Sequence, residues 1–376
     1  MEVAGLFLKL GAIAFGGPAA HIAMLEDEVV RRKQWLTHAQ FLDMLGATNL
    51  IPGPNSTEMA LHVGHHVAGW RGLMVAGSCF ILPAMLIVGA LGWGYVTYGT
   101  LPAVEGILYG VKPVIIAVVL QALWGLSRTA LKTRGMAGLG LAILVLSLLG
   151  VSELLLLFLA GLAWGLHQWR KRVKEDGATR HLGLSALPLF GLVSGATAAS
   201  VPFGLWPLFW FFLKVGSVLY GSGYVLLAFL NQGLVERMGW ISATQLLDAV
   251  AIGQVTPGPV FTTATFIGYL LGGPVGAVVA TVGIFLPAFV FVALSGPLIP
   301  RIRKSPVAGA VLDGVNVASL SLMAAVTLEL SRTAIVDAAT LGFALLSAAL
   351  LIRFRLNSAW LVLGGTVIGL AVAFSR

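Results

Sequence analysis

Cysteine is nearly absent: Cys79 stands alone in 376 residues. A single thiol forms no internal disulfide and builds no metal site by itself. Charge is scarce as well. Asp, Glu, Lys and Arg make up 10% of the chain, where water-soluble domains carry about 25%, so an ordinary soluble protein is excluded. Acids are the rarer sign, 15 against 23 basic residues. Also missing are HExxH, paired cysteines and a glycine-rich nucleotide loop ending in Lys and a hydroxyl. Nothing therefore points to a metal or a cofactor, and an embedded redox enzyme is disfavoured. The start, MEVAGLFLKLGAIAFGG, has no basic stretch and no clear cleavage site, so it reads as mature chain.

What is present is apolar. The chain is 58% hydrophobic, with a mean hydropathy of +0.95. Its 47 Gly, 16 Pro and 10 Trp suit spanning helices and their interfaces. The apolar runs approach the roughly 20 residues that cross a bilayer as helix, and they lack the alternation of barrel strands. The reading is an all-α polytopic protein of the cell membrane. Its net charge of +8 belongs to loops facing lipid, not to nucleic acid.

The chain repeats itself. LKLGAIAFGGP at 8–18 matches LKVGSVLYGSG at 213–223, and at the same offset Trp35 matches Trp240 and Asp43 matches Asp248. Pro52-Gly53-Pro54 likewise matches Pro257-Gly258-Pro259. This divides the chain into a repeat over 1–169, a basic linker with a short apolar segment over 170–200, and a second repeat over 201–376. Whether 183–200 spans, lies at the interface or links is left open by the sequence, as is a homo-oligomer.

Basic loops follow the fourth and sixth apolar segments of the first half but the third and fifth of the second. Lys and Arg in short loops stay cytoplasmic, so the halves are expected to be inverted repeats. Arg31, Arg32 and Lys33 precede the segment near 39–66 and Arg71 follows it. That segment is expected to be re-entrant, giving five crossings and one re-entrant element per half. The alternative is a plain six-span half with Arg71 outside.

The re-entrant segment holds IPGPNSTE. Proline removes an amide donor and breaks a helix, and glycine accepts unusual dihedrals. Pro52, Gly53 and Pro54 are therefore expected to interrupt the helix, with Asn55, Ser56 and Thr57 starting the next one. Amides at such a start favour an anion. Gly16 and Gly17 mark a second break, followed by His21, which either donates to an oxyanion or is a satisfied structural residue. Lys112 lies in an apolar run, as a functional charge or an interface anchor. A buried carboxyl such as Glu58 can cycle a proton or ion-pair with a pocket base. The second half has VFTTATFIG at the equivalent place. Pro257, Gly258, Pro259 and Thr262 are candidates there, in an asymmetric site.

With FGGPAAHIAMLEDEVV at 15–30, Trp35, IPGPNSTEMALHVG at 51–64 and VTPGP at 255–259, the chain resembles the chromate ion transporters in their long, two-domain form. The resemblance covers essentially the whole chain. It implies a membrane transporter, not an enzyme, that exports chromate, confers resistance and draws on the proton-motive force. Sulfate or another divalent oxyanion is the alternative substrate. The family's motif residues carry onto Phe15, Gly16, Gly17, Pro18, His21, Glu26, Trp35, Pro52, Gly53, Pro54, Asn55, Thr57 and Glu58. The second half departs from them, with Gly221-Ser222-Gly223 and no counterpart of His21.

Overall fold

A computed structural model describes residues 1–14, 17–48, 50–99, 101–176, 202–219, 225–303, 306–354, 356 and 358–375. The apolar segment 183–200 and Gly221–Gly223 lie outside the described residues. The first half contributes α1 (Glu2–Ile13), α2 (Gly17–Glu26), a π-helical turn (Asp27–Arg32), α3 (His38–Thr48), α4 (Asn55–Tyr98), α5 (Pro102–Ala130), α6 (Arg134–Leu148) and α7 (Glu153–Asp176). The second repeats that order with α8 (Leu205–Val218), α9 (Leu226–Leu230), a π-helical turn (Asn231–Arg237), α10 (Ala243–Val255), α11 (Thr263–Arg303), α12 (Pro306–Ala334), α13 (Ala338–Phe354) and α14 (Ser358–Ser375). Four helices, α4, α5, α11 and α12, contain stretches long and apolar enough to cross a membrane.

Local chemistry sets the ends. Pro102 opens α5, where its missing amide costs nothing. The Thr133 hydroxyl accepts from the Met136 amide at the start of α6. Ser242 and Gln245 form a capping box on α10. Asp337 caps α13, accepting from the Thr340 amide at 2.8 Å. That bond, then the Tyr109 hydroxyl, holds the Asp337 carboxyl below its ordinary value.

The first segment does not cross. α1 and α2 have 12 and 10 residues, and at 1.5 Å per residue neither reaches across a bilayer of about 30 Å. Lys9 on α1 pairs with Glu28 beyond α2 at 2.7 Å, so the chain turns back on itself. α3 is equally short, at 11 residues. α4 is two helices joined at Ala68–Gly69, whose dihedrals are not helical. In the second half the equivalent turn falls at Gly272–Gly273. There the Phe203 ring lies beside both Gly272 and Trp240, which puts the start of α8, the end of its hairpin and the α11 turn on one face. Each half thus begins with a hairpin, α1 with α2 and α8 with α9, where the sequence suggested a single crossing. The reason is that both arms of a membrane hairpin are as apolar as a single crossing.

Equivalent helices run antiparallel. Lys132, just past the end of α5, pairs with Asp313 near the start of α12 at 2.9 Å. At the opposite end Tyr109 of α5 donates to Asp337 beyond α12 at 2.6 Å. Across the molecule Gly77 faces Phe289, and Gly92 faces Tyr269. The halves also exchange partners: α5 packs on α13 and α14, and α12 on α6 and α7. These are inverted repeats. Following the crossings from Lys132 and Asp313 puts Arg71, Arg128, Arg134, Arg170, Arg303 and Arg353 on one face, which the Lys and Arg bias makes cytoplasmic.

Candidate functional site

The breaks meet in the middle of the molecule. Gly53 donates its amide to the Leu219 carbonyl at 2.8 Å, and Gly258 donates to the Ala14 carbonyl at 2.9 Å. Each half therefore uses its Pro-Gly-Pro turn to satisfy the last carbonyl of the other half's first helix. Both glycines need their freedom, with φ of +140° and +90°. A Cβ on Gly53 would run into the Glu58 carboxyl oxygen, and one on Gly258 would meet Ala84 and the Gly11 carbonyl. Pro52, Gly53 and Pro54 thus interrupt the helix as expected, as do Pro257, Gly258 and Pro259. Gly16 lies outside the described residues, while Gly17 opens α2.

Around the first-half turn, polar atoms are buried without partners among the described residues. His21 is buried, and its Nε2 donates to the Ala14 carbonyl at 2.9 Å. Its Nδ1 has no partner. Thr57 and Glu58 are fully buried, and the Thr57 hydroxyl and both Glu58 carboxyl oxygens are unpartnered. Ser56 and His21 line a cavity with Ala14, Ala60 and Phe80 that has room for about one water. Pro54 accepts from the Thr57 and Glu58 amides and so sets the first turn of α4, which begins at Asn55. The positive end of α4 opens on this break.

The second-half turn is different. Thr262 donates to the Pro259 carbonyl at 2.8 Å, Thr263 to the Val260 carbonyl at 2.9 Å, and Thr265 pairs with Thr281. Their hydroxyls are satisfied within their own packing. The asymmetry read from VFTTATFIG is therefore one of unmet against met hydrogen bonds.

Lys112 is held elsewhere. Its ammonium pairs with Asp248 of α10 at 3.0 Å, and Tyr95 of α4 donates to the other Asp248 oxygen at 2.8 Å. This buried cluster joins the two halves, and its Lys112 charge is matched by Asp248 rather than offered to the break. Sequence reasoning used Asp248 only as a repeat marker and passed over Tyr95. The available signal was an acid inside the apolar stretch LLDAVA. It also missed His62, one turn beyond Glu58, whose Nε2 is buried and unpartnered.

The family model described as "Chromate transporter" matches residues 1–166 and 206–370. The chain belongs to this family. Its two matched regions are the two inverted halves. The "Chromate transport protein" of Cupriavidus metallidurans is 33% identical over 372 residues, covering 97% of this chain and 91% of its own. The "Probable chromate transport protein" of Synechococcus elongatus is 33% identical over 89% of this chain and 85% of its own. The "Chromate transport protein" of Pseudomonas aeruginosa is 30% identical over 92% and 84%. No solved structure matches the chain. As in the family at large, the protein is a multi-pass membrane transporter and not an enzyme.

Proposed function

We propose that this protein carries chromate out of the cell and binds the dianion at the first-half break. The observation that carries the reading is the set of unmet polar groups there. A buried polar group without a partner costs about 1–3 kcal/mol, and a bound oxyanion supplies the missing partners. Thr57 donates its hydroxyl, and His21 donates from Nδ1 when protonated. Asn55 and Ser56 border the same turn.

Glu58 sets the coupling. A dianion and a negative charge on Glu58 repel, so chromate binding is linked to proton uptake on this carboxyl. Voltage supplies the drive. Moving one charge across the membrane is worth about 2.3 kcal/mol per 100 mV, and an anion leaving a negative cytoplasm moves downhill.

Reconstituted vesicles test the reading. Purified protein should move labelled chromate without reducing it, faster under a membrane potential that is negative on the loading side. Sulfate has the same shape and charge, so it should compete. Absence of voltage-dependent chromate flux rejects the function, and sulfate flux without chromate flux transfers it to the alternative oxyanion.

A further inference from the structure

We propose that His62, His65 and His66 form a proton ladder that connects Glu58 to the cytoplasmic face. The inference rests on the reading of Glu58 as the coupling carboxyl and adds the route its proton takes. The first helical arm of α4 is regular from 55 to 67 and turns at Ala68–Gly69. Residues three and four apart on a helix are neighbours, with Cβ atoms about 5–6 Å apart. Glu58, His62 and His66 follow at steps of four, and His65 lies three beyond His62. They therefore occupy one face of the arm, from its buried tip to its outer end.

Exposure rises along that face. Glu58 is fully buried with both oxygens unpartnered, His62 is half-buried with a buried, unpartnered Nε2, and His65 and His66 are exposed. The outer end is the Ala68–Gly69 turn beside Arg71, on the basic face. Each step is within reach of side-chain rotation or of one bridging water. A proton-conducting chain needs such groups, each with a free site for the next proton.

Among the described residues, several charged groups near this arm are held by partners of their own. On the elements packed against this arm, Lys9 is paired with Glu28, His38 with Glu26, and Asp248 with Lys112. His21 is bonded to Ala14, and Asp43 lies on α3. His65, three residues on, is the titratable side chain that follows His62 on this face. The second half has neither histidine nor acid from Thr262 to Leu271, so the ladder belongs to the half with the unmet polar groups.

The test is a pH jump on purified protein, with protonation of Glu58 followed by its carboxyl infrared band and assigned by its loss in Glu58→Gln. His62→Gln keeps hydrogen-bonding capacity and removes titration. It should slow the relaxation about a hundredfold, the scale of losing a proton-transferring side chain, and leave the amplitude unchanged. The double variant His65→Gln/His66→Gln, at exposed positions, should slow it in the same direction. Parental relaxation rates in both overturn the ladder, because water then reaches Glu58 directly. Loss of chromate affinity in both also overturns it, because the histidines would then belong to the anion site. Chromate affinity of the parent, measured separately, tests the transport reading independently.

Discussion

The Gly53 amide and the Leu219 carbonyl lie 2.8 Å apart, joining the break of one half to the first helix of the other. Its counterpart, Gly258 to Ala14, repeats the bond with the halves exchanged. Neither turn is complete without the other repeat, so the centre is a joint product of both.

Gly53→Val should abolish chromate flux while much of the protein still inserts. The residue's φ of +140° is closed to a β-branched side chain, a strain of about 1–3 kcal/mol, and the new Cβ displaces the Glu58 carboxyl. Flux assays paired with thermal melts in detergent check it. Wild-type flux in the variant removes the turn from the site.

Accessibility labelling tests the inversion. In a Cys79→Ala background, cysteines at Lys132 and Arg170 should be protected from an impermeant thiol reagent in intact cells. Cysteines at Tyr98 and Gly204 should react. Arg170 and Gly204 fall on opposite faces because α7 runs from beside Gln232 at Glu153 to beyond Trp164, which packs on Gly135. Labelling of Arg170 and Gly204 from the same side contradicts the arrangement.

Removing Lys112 should cost stability more than affinity. Lys112→Met leaves Asp248 buried without its counter-charge, and breaking such a pair costs about 3–5 kcal/mol. The double variant Lys112→Met/Asp248→Leu should recover most of that loss. Melting temperatures of the three proteins and their chromate affinities decide it. An affinity loss in Lys112→Met without a drop in melting temperature assigns the ammonium to substrate instead.

How much was legible follows from what each signal depends on. The Pro-Gly-Pro turns were readable because proline and glycine act on their own backbone, whatever surrounds them. Inversion was readable from Arg and Lys because loop charge is set by the membrane, not by packing. The hairpin of α1 and α2 was not readable, since composition reports lipid exposure and not direction of travel. Nor was the bond between Lys112 and Asp248, whose partners come from different halves and meet only when α5 packs on α10. His62 was hidden for a similar reason, because its place beside Glu58 matters only once the arm is known to be helical and buried.

Glu58 and Thr57 are adjacent in sequence and should fail in different ways. Glu58→Gln keeps size and hydrogen-bonding capacity and removes the titratable charge. Chromate should still bind, and more tightly wherever the parent's carboxyl is ionised, because the repulsion between dianion and carboxylate is gone. The part of the pH dependence that this carboxyl sets should vanish with it. Thr57→Ala deletes a donor and introduces no charge, so affinity should fall at every pH by about tenfold, the scale of one hydrogen bond to a charged group, with the slope against pH unchanged. Equilibrium binding of chromate to both variants across a pH series, alongside flux under set voltage and pH gradients, separates the two. If Glu58 were only an ion-pair partner, the Gln variant would lose binding or stability and keep its pH dependence. A parental pH profile in Glu58→Gln ends the coupling role, even where the Thr57 result still places the anion at the break.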